Sequence, residues 1–264
     1  MRMDIFAFNA ATFASFLLTL MRISLVVFLL PFWGGDYIPT LVKGALCLVL
    51  TMALWPHLSF PGELMPAHPL GIFTMLLAEF VLGLMLGLCV YFIFSGVQLG
   101  GEIMGFQMGF TMMTLADPTS GAQVSITSHV LYMVTLLVFL ALDGHLHLLR
   151  AMADSFALIP PGGLRISGPL TGDILALSGG MFTLAVRIAA PVIAALFMVE
   201  LTLALMGRAA PQMNLLTLGF PVKIAAGFFF MSILFSMLSL HMEEVIIALG
   251  PMFDRVMGVA AGPR

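Results

Sequence analysis

The sequence predicts an all-α membrane protein of five to six hydrophobic helical segments, some of them bent or broken. Three observations predict it. Of 264 residues, 61% are hydrophobic and only 9% charged, against roughly a quarter charged in an ordinary soluble domain. The intervals Glu79–Glu102, Asp117–Asp143 and Lys223–Glu243 hold no charge between their ends, and each is close to or above the about 20 apolar residues that cross a bilayer. Turn-forming stretches stand between the apolar runs: PFWGGDYIP at 31–39, WPHLSFPGELMPAHP at 55–69, IPPGGLRISGP at 159–169 and RAAPQMN at 208–214.

The first apolar run, residues 5–30 with Arg22 inside, has no small-x-small cleavage pattern before Arg22, so it is expected to stay as a membrane helix. A shorter run follows from Gly44 to about Trp55. The three charge-free intervals supply the next spans and the last one, with residues 174–206 between them carrying Arg187, Pro191 and Glu200. No linker sets off a second soluble domain, so residues 1–264 are taken as one membrane domain.

A net charge of −3 supplies no basic footprint for phosphates, which sets nucleic acid aside. Cys47 and Cys89 sit alone in apolar runs and are expected to be small core residues. Metal spacing is missing: there is no HExxH, and His145 and His147, two apart, point to different sides of a helix. Ser120-Gly121 with a distant His129 or His145 is a turn rather than a protease motif. Neither catalysis, a metal nor a cofactor is expected. A solute transporter is the competing class, but such folds carry internal repeats that this chain lacks.

Charges at Arg22, Glu79, Arg187, Glu200 and Lys223 lie in or beside apolar segments. A charge facing lipid costs several kcal/mol, so these side chains are expected to face protein or water. Arg187 and Glu200 are too far apart in sequence for a helical i, i+4 pair, so any partner has to come from another segment.

Glycines repeat at a spacing of four at 83 and 87, 96 and 100, and 101, 105 and 109. On a helix that spacing lets a second backbone approach closely, and so many glycines also allow the helix to bend or unwind. The ladder runs into FQMGFTMMTLADPTSGAQ, where Asp117-Pro118 turns the chain out of helix and Ser120-Gly121 supplies a turn. Non-helical backbone at membrane depth is tolerated only inside protein or along an aqueous path. The methionines at 104, 108, 112 and 113 suit either a deformable seal or a soft core.

The run GEIMGFQMGFTMMTLADPTSGAQVSITSHVLYMVTLLVFLALDGHLHLLRAMADSFALIPPG, followed by RAAPQMNLLTLGFPVKI, resembles the FliR family, the R subunit of the flagellar type III export gate. The order MGF, DP, GHLHLLRAMADSF, APQMN, GFPVK carries the likeness. Asp143 stands where relatives usually have asparagine, and Leu215-Leu216 replaces an aromatic-containing step. Virulence-type injectisome homologues share the architecture; the Gly-His-Leu and Gly-Phe-Pro forms here look more flagellar.

The resemblance implies a helical subunit like a P-type portion fused to a Q-type hairpin. It would be present in one copy with several P and Q subunits in the bacterial inner membrane, at the flagellar basal body. The B subunit would pack around that assembly and the A subunit beneath it, and unfolded flagellar proteins would pass through. It also implies a loop that plugs the closed channel: here Phe106, Gln107, Met108, Phe110, Thr111, Met112 and Met113. Gly105, Gly109, Asp117, Pro118 and Gly121 would be its hinges and turn. Glu79, Arg187, Glu200, Arg208, Asn214 and Lys223 are expected at subunit contacts, flanking breaks at Pro211 and Pro221 in the case of the last three.

Overall fold

The computed structural model describes residues 10–34, 38–58, 68–110, 125–164, 168–210, 212 and 215–261. Among them the regular structure is entirely helical: α1 (Ala10–Leu29), α2 (Pro31–Gly34), α3 (Thr40–Leu58), α4 (Pro69–Met108), α5 (Ile126–Ala141), α6 (Gly144–Leu158), α7 (Gly168–Ala209) and α8 (Leu215–Ala261). Four of these are long and apolar enough to cross a membrane, within residues 12–29, 69–108, 170–209 and 218–238. The pair α5 and α6, bent by 68°, makes a fifth if taken as one span.

Helix lengths depart from the charge-free intervals. α4 has 40 residues, about 60 Å at 1.5 Å per residue, or twice the roughly 30 Å of hydrocarbon. α7 and α8 are longer still, at 42 and 47 residues. Glu79 and Glu102 therefore lie inside α4 instead of at its ends, and α8 begins before Lys223 and continues past Glu243. The break expected at Pro221 is absent: α8 runs through it. Pro221 is the seventh residue of α8, past the four N–H groups that a helix start leaves free, so the helix continues there at the loss of one backbone hydrogen bond. Pro191 is likewise inside α7.

The chain divides into two compact units. The first comprises Met1–Tyr91, Asp143–Leu177 and Ile246–Arg264; the second comprises Phe92–Leu142 and Ser178–Val245. In the first unit, α1 buries Ser15, Leu18, Thr19, Arg22, Ile23, Val26 and Val27, a stripe at three- and four-residue steps that marks one helix face. α1 packs on α3, and α3 on α6. Trp55 of α3 meets Phe16 edge to face at 5.9 Å. Cys47 and Cys89 are buried free thiols, as their apolar surroundings predict.

In the second unit Val97, Met104 and Met108 of α4 join Leu131 of α5, Ile188, Val192 and Leu196 of α7, and Leu234, Leu238 and Met242 of α8 in one apolar core. α5 reaches it with Leu131, and its Phe139 meets Phe94 of α4 edge to face at 5.3 Å.

The glycine ladder serves close approach along an unbroken α4. A Cβ on Gly83 would stand 2.8 Å from that of Leu25 in α1, and one on Gly96 2.8 Å from the Met181 carbonyl in α7. At Gly101 it would stand 2.5 Å from the Ser128 Cα and 3.0 Å from its nitrogen. Those are backbone atoms, which cannot swing aside as a flexible side chain can. Thr127 uses the closeness to donate from Oγ1 to the Gly101 carbonyl at 2.9 Å. Gly101→Val should force α4 and α5 apart at a cost of about 1–3 kcal/mol, read as a lowered melting temperature of the detergent-solubilised protein. Gly172→Ala in exposed α7, where nothing lies within 4 Å, should leave that temperature unchanged or raise it.

Between α5 and α6 the chain turns at Asp143, with φ 56 and ψ 24. It is the one described non-glycine residue with positive φ. Asn and Asp tolerate this left-handed region better than other side chains, which suits aspartate to the bend.

Candidate functional site

Two sets of residues were expected to carry function: the segment from Gly105 to Gly121, and the charges inside apolar helices. The first begins within the second unit, at the end of α4. Gly105 is still helical and buried, facing Ser125 and Thr127. Phe106 points outward at 69% exposure, while Met108 is wholly buried in the core. Gly109 then takes φ 90, open only to glycine without strain, and its N–H returns to the Phe106 carbonyl at 3.1 Å. The helix thus ends at Gly109, not at Gly105.

Phe110 packs edge to face on Phe228 of α8, ring centres 6.1 Å apart. Thr111, Met112, Met113, Asp117, Pro118 and Gly121 lie outside the described residues. Of the sulfur-containing side chains in this segment, Met104 and Met108 serve the core.

The charges resolve into two kinds. Glu79 was expected at a subunit contact, and the structure corrects this: with Arg22 it forms a pair inside the first unit, both side chains at 0% exposure. Arg22 donates from Nε to Glu79 Oε2 at 2.6 Å and from Nη2 to Oε1 at 2.8 Å. This forked geometry is the strong form of an arginine–carboxylate bond. The remaining donors reach Ser155 Oγ at 3.2 Å and the Ile159 carbonyl at 3.1 Å, and the guanidinium lies 4.1 Å from the centre of the Phe156 ring. One arginine so ties α1, α4 and α6 together.

The second kind is accessible. In the second unit Lys223 of α8 donates to Glu200 Oε1 at 2.7 Å, and Gln107 of α4 donates to Glu200 Oε2 at 3.1 Å. The lysine and glutamate side chains are 21% and 48% exposed. Arg187 and Arg208 are exposed on α7 and have no ion-pair partner among the described residues. Asn214 and Pro211 lie outside the described residues. Beside Glu200, an open apolar groove of about 600 Å³ runs between α7 and α8, lined among others by Met198, Thr202, Met206, Leu218, Val222 and Phe230.

Sequence reasoning missed the partners of Arg22, which come from 57 and more residues away. It also missed the joining of Gln107 to Glu200. For Glu200 and Lys223 a signal existed: the turn-forming sequence RAAPQMN at 208–214 lies midway between them, so two helices on either side of it can bring them face to face.

Long apolar helices with internally neutralised charges define a polytopic helical membrane protein. The chain belongs to the family described as bacterial export proteins, family 1, whose model matches residues 13–249. It is 31% identical to the flagellar biosynthetic protein FliR of Bacillus subtilis over 241 residues, covering 88% of this chain and 90% of the relative. Identity to the FliR of Escherichia coli is 28% over 226 residues, 86% of each chain. The surface presentation of antigens protein SpaR of Salmonella typhimurium is 26% identical over 223 residues, 84% of this chain and 83% of that one.

Proposed function

We propose that this chain is the R subunit of a flagellar type III export gate in the bacterial inner membrane, acting as one domain over residues 1–264. What carries the proposal is the similarity to flagellar FliR proteins along nearly the whole of both chains. One copy assembles with several P and Q subunits at the flagellar basal body, with the B subunit around the assembly and the A subunit beneath it. Unfolded flagellar proteins are the cargo, and the chain is not an enzyme.

In this reading the segment from Phe106 to Met113, apart from the core residue Met108, closes the resting channel, and Asp117, Pro118 and Gly121 turn the chain back. The end of α4 at Gly109 and the outward Phe106 support it. Phe and Met side chains suit the task because they exclude ions while gripping an unfolded chain without reading its sequence. Arg187, Glu200, Arg208 and Lys223 are accessible on apolar helices, which favours their facing neighbouring subunits over lipid.

A homologous subunit of a virulence-type injectisome is the second reading, and it draws on the likeness to SpaR, lower in identity than that to the two FliR proteins. Co-expression with the flagellar P and Q subunits and with their injectisome counterparts, followed by native mass measurement, tests the assignment. A single stable complex with the flagellar pair is expected. Purification as a lone stable chain with substrate uptake in liposomes would instead make it a solute transporter.

A further inference from the structure

We infer that Glu200 is a positioning residue that clamps the exit of α4, with Gln107 and Lys223 as its two grips; the functional part of this rests on the plug reading above. Each carboxylate oxygen has its own partner on a different helix: Oε1 takes Lys223 of α8 at 2.7 Å and Oε2 takes Gln107 of α4 at 3.1 Å. A lone carboxylate on an apolar helix is costly, and Lys223 alone already offsets its charge. Gln107 adds no charge, so what it adds is direction: it fixes the last turn of α4 to α7.

The last turn of any helix lacks intrahelical partners for its carbonyls and frays unless it is held. Here the hold extends over four consecutive residues. Beyond Gln107, Met108 lies against Gly227, where a Cβ would meet its sulfur at 2.7 Å, and Gly109 lies under the Phe220 ring, where a Cβ would stand 2.8 Å from the ring edge. Phe110 completes the series on Phe228. Residues 108–110 are therefore seated on one stretch of α8, 220–228, and Gln107, joined through Glu200 of α7 to Lys223 in that same stretch, is the polar end of the seat. Removing the clamp frees the turn from which the plugging segment departs.

The test uses the complete gate complex. In Gln107→Leu and in Glu200→Leu, amide hydrogen exchange at residues 105–110 should quicken severalfold while the complex still co-purifies. The exchanged pair Glu200→Lys with Lys223→Glu should restore protection, because the Gln107 amide can turn to present its oxygen. Unchanged exchange in both single variants would overturn the clamp, whatever the plug does.

Conductance in planar bilayers tests the coupling. Both single variants should leak ions more than the unaltered complex and less than a complex lacking residues 111–117, and Gln107→Leu should add nothing to that deletion, as expected of two changes acting through one element. A leaking deletion with non-leaking single variants would overturn the clamp's role in gating and leave the plug standing. A deletion that does not leak would sink the plug reading, and hydrogen exchange would then judge the clamp alone.

Discussion

Arg22→Ala will unfold or severely destabilise the first unit, with a loss of about 3–5 kcal/mol, the usual consequence of removing one partner from a buried ion pair. The loss is large because Glu79, at 0% exposure, would be left buried with no partner opposite it. Ser155 and the Ile159 carbonyl would also lose the donors that now satisfy them. A net stability of about 5–15 kcal/mol leaves little room for that.

The companion variants separate charge from packing. Glu79→Leu alone should be as damaging, since it leaves a buried guanidinium on Phe156. The double change Arg22→Met with Glu79→Leu should recover most of the loss, because apolar replacement of both partners is often neutral or better. Melting of the detergent-solubilised complex checks all three. Equal damage in the double variant would mean that the pair's geometry, rather than its charge balance, holds α1, α4 and α6.

Deleting residues 111–117 should make the closed gate leak ions and slow the growth of cells that overproduce it. The boundaries follow from the structure: a cut beginning at 106 would also remove Met108, which is wholly buried in the core of the second unit, and would confuse leakage with misfolding. Starting after Phe110 spares that core and the contact with Phe228. Single-channel recording in planar bilayers decides it: conductance equal to that of the intact complex would end the plug assignment.

Much of this architecture is legible in the chain itself. Apolar runs announce the helices, and the four-residue glycine spacing announces close neighbours, which α4 finds in α1, α7 and α5. Charge-free intervals misjudge helix length because Glu79, neutralised by Arg22 across 57 positions, ends nothing. Local spacing carries no trace of such a pair. Proline misleads similarly at 221, where it falls near a helix start and leaves α8 intact.

The candidate site was legible in part. Of the two glycines expected as hinges, Gly109 ends α4 at φ 90, whereas Gly105 stays helical against Ser125 and Thr127. Met108 illustrates why composition left seal and core unresolved: thioethers suit both, and only three-dimensional position assigns this one to the core. Gln107 was picked out for its place beside phenylalanine and methionine, yet its amide reaches Glu200, 93 positions on.

The unusual length of α7 bears on the life of the protein in the cell. In its most apolar stretch only 22% of the residues are buried, and Phe182, Val186, Phe197 and Leu205 are exposed along it. At about 60 Å the helix outruns any bilayer, so lipid cannot shelter all of that surface, and greasy surface left in water invites aggregation. If the proposed neighbouring subunits cover that surface, a chain made without them should be cleared faster than one made with them, which pulse-chase labelling would read as a shorter half-life.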